Sequence, residues 1–116
     1  MTEIPSNLSV KEFSKWIENP KKQFFIIDVR EENELLLAQL SEPFMHLPLS
    51  EYSLWSESIF NKLPTDKSIV VICHSGIRSW NFCVWLHSKK LGYEVWNLEG
   101  GIDAWSIEVD SRVPRY

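Results

Sequence analysis

A segment around one cysteine contains the residue types and spacing best suited to chemistry. Cys73 follows the β-branched run 69–72, and Gly76 and Arg78 come three and five residues after it. The pattern predicts a buried strand, a tight loop and the start of a helix, with Cys73 at the carboxyl end of the strand. Free amides and the positive end of a helix dipole stabilise an anion there, which favours the thiolate over the thiol. We therefore expect Cys73 to be a nucleophile.

The residues after Cys73 are predicted to form a loop around its sulfur. Gly76 allows the backbone conformations that a cradle of inward-pointing amides needs, and Arg78 adds a permanent charge with several donors. The simpler alternative is that Cys73 is a small buried hydrophobic residue. The strand–loop–helix context favours the nucleophile. The predicted active-site loop consists of His74, Ser75, Gly76, Ile77, Arg78 and Ser79.

Length and charge limit the class of protein. With 116 residues, the chain is predicted to be a single domain, residues 1–116, in which 110–116 form a C-terminal tail. The net charge of −4 and the lack of a basic block argue against nucleic acid as a partner. No apolar run approaches the roughly 18 residues of a membrane span, and no secretory signal is evident. The two cysteines are too few for a disulfide framework, so we expect a cytoplasmic protein.

Strands alternate with helices along the chain, which predicts an α/β fold with a mostly parallel sheet covered on both faces. Pro48 indicates that the strand containing it lies at an edge, and Gly92 is a candidate helix C-cap. Ser9 and Glu12 have the spacing of a helix capping box. The predicted strands are 24–29, 44–49, 69–72 and 93–98, and the predicted helices are 9–19, 31–38, 50–63, one following the loop, and 102–107.

Asp28 and Arg30 stand at the end of the strand 24–29. Two interpretations stay open from the residues alone. They form either a solvated ion pair of little energetic value or a pair that braces the neighbouring loop. If they are buried, their charges must be paired with each other or with other groups. His46 is expected to be a structural histidine.

A second cysteine lies on the predicted helix after the loop. Cys83 and His87 are four residues apart there, but no fourth ligand and no Cys-x-x-Cys pair accompany them, so no metal site is expected. Cys83 is predicted to be a core residue, and a role in resolving an oxidised Cys73 is the weaker alternative. Trp80 follows the loop directly. Ordinary packing is the expectation for it, and a place at the mouth of the site is the weaker alternative.

Three blocks of the sequence resemble the single-domain rhodaneses, which are sulfurtransferases. The blocks are residues 27–30 (IDVR), 73–79 (CHSGIRS) and 97–105 (NLEGGIDAW), in a similar order and at similar separations. This rhodanese-like resemblance covers nearly the whole chain and implies a five-stranded parallel α/β sheet with helices on both sides. It also implies that Cys73 accepts sulfur, that the loop amides stabilise its thiolate and persulfide, and that Asp28 and Arg30 support the site.

Two positions depart from the family pattern. His74 stands where the family often has an arginine or lysine, and a histidine is only partly charged near neutral pH. Residues 39–46 replace the Gly-His-Ile-Pro-Gly-Ala turn of the family. The turn must therefore be built differently here.

The resemblance implies a transfer in two half-reactions through a Cys73 persulfide, with no cofactor and no metal. The expected partners are a small sulfur donor such as thiosulfate or a persulfide, and an acceptor that is a thiol, cyanide or a sulfur-accepting protein. A cysteine phosphatase or arsenate reductase is one alternative, but its loop is longer than the four residues 74–77 between cysteine and arginine. A non-catalytic module that binds a protein is the other, although such a module has no need of the cysteine.

Overall fold

The computed structural model describes residues 4–116 and arranges five strands in one parallel sheet. The order across the sheet is β1-β5-β4-β2-β3, so the strand before the cysteine loop is central. The predicted fold class is confirmed. The strands are β1 (Ser6–Leu8), β2 (Phe24–Asp28), β3 (Met45–His46), β4 (Ser68–Ile72) and β5 (Glu94–Leu98).

Helices cover both faces of the sheet. The amide of Glu12 donates to Oγ of Ser9 at 3.1 Å, so the serine half of the predicted capping box starts the first helix, whereas the Glu12 carboxylate pairs with Lys15. The predicted helix 50–63 is wrong, because short helical pieces replace it. The helices are α1 (Val10–Glu18), α2 (Glu32–Leu37), α3 (Tyr52–Trp55), α4 (Ile77–Ser88) and α5 (Gly101–Glu108), with 3-10 turns at Leu49–Glu51 and Ile59–Asn61.

The apolar residues of 50–63 do not share one helical face. Trp55 and Ile59 are buried, but Leu54, which directly precedes Trp55, is 76% exposed. The indole N–H of Trp55 also donates to the carbonyl of Pro48 at 2.9 Å, which anchors this residue separately. The backbone conformation of this segment therefore follows from the packing of individual side chains and not from one amphipathic helical face.

Two further differences concern element boundaries. β1 is a three-residue strand that pairs Ser6 with Trp96, and it is too short to produce a periodic pattern in the sequence. Gly92 is not the C-cap of α4, because the helix ends at Ser88 and Lys90 takes the left-handed conformation with φ of 55°. Pro48 does follow an edge strand, β3, as predicted.

The core lies on both faces of β4, whose five residues are all buried. Val71 and Cys73 face the layer that contains Phe82 of α4, whereas Ile72 faces the layer that contains Phe13 of α1. This alternation is the period of a strand buried on both sides. Cys73 therefore lies at the carboxyl end of the central strand, and its side chain faces the layer that contains α4.

The segment 110–116 packs against the domain. Val113 is buried and its carbonyl accepts a hydrogen bond from the hydroxyl of Ser106 at 2.5 Å. Arg115 pairs with Asp103 of α5 at 2.8 Å. The segment predicted only as a tail is therefore ordered by contacts with α5. Within residues 4–116, no helix has the length and apolar character needed to cross a membrane.

Candidate active site

The sulfur of Cys73 lies directly after β4, between the loop and the first turn of α4. The amide of Gly76 donates to Sγ at 3.0 Å, and the hydroxyl oxygen of Ser79 lies 3.2 Å from it. Among the loop amides of residues 74–79, which are all within the described chain, that of Gly76 is the one in hydrogen-bond distance of the sulfur. Cys73 is 1% exposed, yet its sulfur contacts polar groups and not hydrocarbon alone.

A left-handed glycine ends the loop and begins α4. Gly76 has φ of 99°, a conformation that other residues adopt at a cost. A Cβ at this position would also lie 3.0 Å from the amide nitrogen of Gly100. The helix starts at the next residue, so the positive end of its dipole lies beside the sulfur.

The amino-terminal end of α5 holds the backbone of the loop. The amide of Ile102 donates to the carbonyl of Cys73 at 2.9 Å, and that of Asp103 donates to the carbonyl of His74 at 3.0 Å. Gly101 makes this approach possible, since a Cβ there would lie 2.5 Å from both carbonyl oxygens. The Gly-Gly block therefore supports the cysteine loop through direct backbone contacts.

The side chains of the loop point in different directions. Ser79 is buried, Arg78 and His74 are half-buried, and Ser75 and Ile77 are exposed. Ile77 is 70% exposed although it is apolar. The sequence places these residues in one loop, and the structure separates those that contact the sulfur from those that face solvent.

Arg78 is directed at a carboxylate on α2. Its Nη1 and Nη2 donate to Oε2 and Oε1 of Glu34 at 2.7 and 2.8 Å. The guanidinium lowers the pKa of Glu34 to about 2 against the opposing effect of burial, and the carboxylate raises the pKa of Arg78. The pair braces the loop against α2, and it neutralises the charge that Arg78 would otherwise present.

Asp28 and Arg30 form a buried pair. Both residues are 0% exposed, and Nη2 of Arg30 donates to Oδ2 of Asp28 at 2.8 Å. The amide of Arg30 donates to Oδ1 of Asp28 at 3.0 Å, which bends the chain after β2. His46 lies with Nε2 2.6 Å from the carbonyl oxygen of Arg30, so this histidine has a structural contact. The interpretation as a solvated surface pair is wrong.

Tyr116 connects the buried pair to the loop. Nη1 of Arg30 donates to its phenolic oxygen at 2.9 Å, and its hydroxyl donates to Oε1 of Glu34 at 3.0 Å. Its ring stacks on His74. Burial raises the pKa of Tyr116, so the phenol remains a proton donor at neutral pH.

Asn97 joins β5 to the loop. Its Oδ1 accepts from the hydroxyl of Ser79 at 2.5 Å, and its Nδ2 donates to the carbonyl of Gly76 at 3.2 Å. The residue belongs to one of the three blocks of the resemblance, but no role was predicted for it. Glu34 and Tyr116 were also missed, the first because it lies in an acidic helix and the second because its partners are distant in sequence.

Cys83 has a different environment from Cys73. It is 0% exposed in the core, and burial raises the pKa of its thiol. Both cysteines are free. In residues 4–116, no group of three or more His, Cys, Asp or Glu side chains is arranged to hold a metal ion.

Comparison with known proteins identifies relatives along most of the chain. The family model described as Rhodanese-like domain matches residues 9–108. The chain is 35% identical over 113 residues to "Rhodanese-like/PpiC domain-containing protein 12, chloroplastic" of Arabidopsis thaliana, which covers 95% of this chain and 37% of that protein. It thus spans little more than a third of this relative. It is 33% identical over 87 residues to "Putative sulfurtransferase YtwF" of Bacillus subtilis strain 168, which covers 75% of this chain and 78% of that protein.

A solved structure has the same fold. The crystal structure of a rhodanese-related protein from Thermoplasma volcanium matches with a TM-score of 0.68 and 26% identity. The match covers 90% of this chain and 93% of that one. The similarity therefore extends over most of the length of both chains.

Proposed function

Because the chain belongs to the rhodanese-like domain family, we propose that it is a sulfurtransferase that carries sulfur as a persulfide on Cys73. One observation supports this proposal above the others. The sulfur of Cys73 contacts the amide of Gly76 and the hydroxyl of Ser79 at the end of β4. These groups, with the adjacent helix terminus, stabilise an anionic and reactive sulfur.

In the first half-reaction the thiolate of Cys73 attacks the outer sulfur of a donor. A new S–S bond forms at Cys73 while the bond inside the donor breaks, and the leaving group takes the electron pair as sulfite or a thiolate. In the second half-reaction an acceptor nucleophile attacks the outer sulfur of the persulfide, and Cys73 leaves as the thiolate. The two steps require no metal, no organic cofactor and no external oxidant.

The charge around the loop bears on the choice of donor. Arg78 is paired through both terminal nitrogens with Glu34, so its charge is largely neutralised. A doubly charged thiosulfate therefore gains less attraction here than it would from a free arginine. A singly charged organic persulfide suits this loop better, and the acceptor is a thiol, on a small molecule or on a protein, with cyanide as its assay substitute.

The same pair argues against phosphatase or arsenate reductase chemistry. Such a reaction needs the arginine of the loop to bind the oxyanion, and Arg78 binds Glu34. The four residues 74–77 between Cys73 and Arg78 also make a shorter loop than a cysteine phosphatase uses. A loop that encloses one sulfur atom suits a persulfide.

The proposal is tested by loading the folded protein with an organic persulfide or with thiosulfate and measuring its intact mass. We expect a gain of one sulfur atom on Cys73 and its release as thiocyanate on addition of cyanide. Cys73→Ser should gain none, whereas the matched control Cys83→Ala should gain one, because Cys83 is a core residue. If neither donor adds sulfur to the folded wild type, the protein is a binding module and the proposal is wrong.

A further inference from the structure

The hydroxyl of Ser79 lies between two hydrogen-bond acceptors. Its oxygen is 3.2 Å from Sγ of Cys73 and 2.5 Å from Oδ1 of Asn97. A serine hydroxyl has a single proton, so it can donate to only one of them at a time. Ser79 is 0% exposed, and water therefore does not compete for this proton.

The amide of Asn97 has a fixed orientation. Its Nδ2 donates to the carbonyl of Gly76 at 3.2 Å and to Oδ1 of Asn7 at 3.0 Å. A backbone carbonyl accepts only, so a flipped amide would place two oxygens against each other at Gly76. Oδ1 of Asn97 must therefore face Ser79 as an acceptor.

We propose that Ser79 is a catalytic residue whose hydroxyl changes its acceptor from Asn97 to Cys73 whenever Cys73 is a thiolate, and that Asn97 is the positioning residue that opposes this change. The inference rests on the proposed sulfur transfer for its purpose, although the hydrogen-bond change itself requires only the thiolate.

The change follows from the proton count at each stage. In the thiol, S–H of Cys73 donates to the oxygen of Ser79, which donates to Asn97. When the thiol proton leaves to solvent, Ser79 keeps its own proton and turns it toward the sulfur by rotation about Cβ–Oγ. A bond to a charged acceptor is stronger than one to a neutral amide, which favours the sulfur.

The same residue serves both half-reactions. Once sulfur is transferred, Sγ of Cys73 is a neutral atom within the persulfide and the charge is on the outer sulfur. The hydroxyl of Ser79 then returns to Asn97. In the second half-reaction the leaving thiolate again receives the proton donor, so Ser79 stabilises the leaving group as its charge develops.

Neighbouring charges do not change in the variants that test this proposal. Arg78 is paired with Glu34, Asp28 with Arg30, and Asp103 with Arg115. His74, Cys83 and Tyr116 are titratable groups beside the loop, and Glu32, His87, Glu94 and Glu108 lie elsewhere on the elements packed around it. Substitutions at Ser79 and Asn97 add or remove no charge, so a shift reports the hydrogen bonds.

The test measures the rate of Cys73 alkylation by iodoacetamide against pH in the Cys83→Ala background. Ser79→Ala should raise the midpoint of the profile by about one pH unit, because the thiolate loses a donor. Asn97→Ala should lower the midpoint by about half a unit, because the competing acceptor is gone. Ser79→Thr, which keeps a hydroxyl, should return the midpoint most of the way from the Ser79→Ala value to that of the wild type. Asn7→Ala should leave the midpoint unchanged, because the contacts of Ser79 with Cys73 and Asn97 remain and the carbonyl of Gly76 still orients the Asn97 amide.

The opposite directions distinguish a proton switch from a structural brace. If Ser79 and Asn97 only held the loop in place, both alanine variants would move the midpoint upward, and the proposal would be wrong. No shift in a folded Ser79→Ala would also overturn it. If Ser79→Ala fails to fold, Asn97→Ala decides alone: a downward shift supports the proposal, and an upward shift or none overturns it.

Alkylation is independent of sulfur transfer. If the midpoints shift as expected while no donor adds sulfur, the hydrogen-bond change stands and the proposed function fails. If sulfur loads on Cys73 while the midpoints do not shift, the proposed function stands and the role of Ser79 fails.

Discussion

The ring of Tyr116 stacks on the ring of His74, with 4.1 Å between their centroids and 13° between their planes. This contact places the phenolic hydroxyl between Arg30 and Glu34, where it accepts from the first and donates to the second. One side chain thereby joins the loop, the buried pair at the end of β2 and the carboxylate on α2. Positions 30 and 34, position 74 and position 116 belong to three separate parts of the sequence, and they form one network at the carboxyl end of the sheet.

Removal of this hydroxyl tests the network. Tyr116→Phe keeps the ring on His74, but it leaves an N–H of the buried Arg30 with only the longer contact to the carbonyl of Glu34, at 3.4 Å. We expect the free energy of unfolding to fall by about 1–2 kcal/mol, measured by urea denaturation.

The matched control for that variant is Tyr52→Phe. Tyr52 is 45% exposed, and its ring contacts Trp55 edge to face. Loss of the hydroxyl leaves this ring contact in place. Its free energy of unfolding should change by less than about 0.5 kcal/mol. Equal losses in the two variants would show that the hydroxyl of Tyr116 has no particular partner.

The Glu34–Arg78 pair makes stability depend on acid pH. The pKa of Glu34 is about 2 in the folded protein against an ordinary 4.5, so the folded state binds the proton less tightly. The contribution is therefore complete above pH 4.5 and is lost as pH falls from 4.5 toward 2. Arg78 is 37% exposed, and solvent screening limits the contribution to about 1 kcal/mol.

As pH falls from 4.5 toward 2, we predict that the free energy of unfolding of Glu34→Gln decreases by about 1 kcal/mol less than that of the wild type. Urea denaturation at several pH values checks the difference. Glu12→Gln is the control, because Glu12 meets Lys15 at 3.8 Å with both side chains largely exposed, and we expect its acid profile to follow the wild type. Parallel profiles for Glu34→Gln and wild type would contradict the assigned pairing.

Gly101 permits the close approach of α5 to the loop. In Gly101→Ala the new Cβ would lie 2.5 Å from the carbonyl oxygens of Cys73 and His74, at a φ of 62°. We expect a loss of about 2 kcal/mol or more in the free energy of unfolding, together with a loss of sulfur loading as the loop is displaced.

Gly92→Ala separates the clash from the backbone strain. Gly92 also has a positive φ, 86°, but no atom lies within 4 Å of the added Cβ. This variant should lose about 1 kcal/mol and keep normal sulfur loading on Cys73. Normal loading in Gly101→Ala would show that contact with α5 is not needed to hold the loop.

Local patterns in the sequence account for the fold class and for the position of Cys73 at the end of a buried strand. The run 69–72 is apolar and β-branched, so it predicts a central strand, and Gly76 after it predicts a tight loop. β1 could not be predicted in this way, because a strand of three residues is defined by its pairing with β5 and not by its own pattern. The helix predicted for 50–63 is wrong for a similar reason, since the tertiary contacts of individual apolar side chains, such as that of Trp55 with Pro48, decide the backbone there.

The amino-acid sequence by itself determined a parallel α/β fold with Cys73, Gly76 and Arg78 in one loop, because period, turn chemistry and motif spacing depend on neighbouring residues. Only the tertiary structure decided the partners of that loop. It directed Arg78 to Glu34, Ser79 to Asn97 and His74 to Tyr116. These contacts join residues far apart in the chain, and whether a side chain meets a carboxylate, an amide or solvent depends on packing that no local pattern contains.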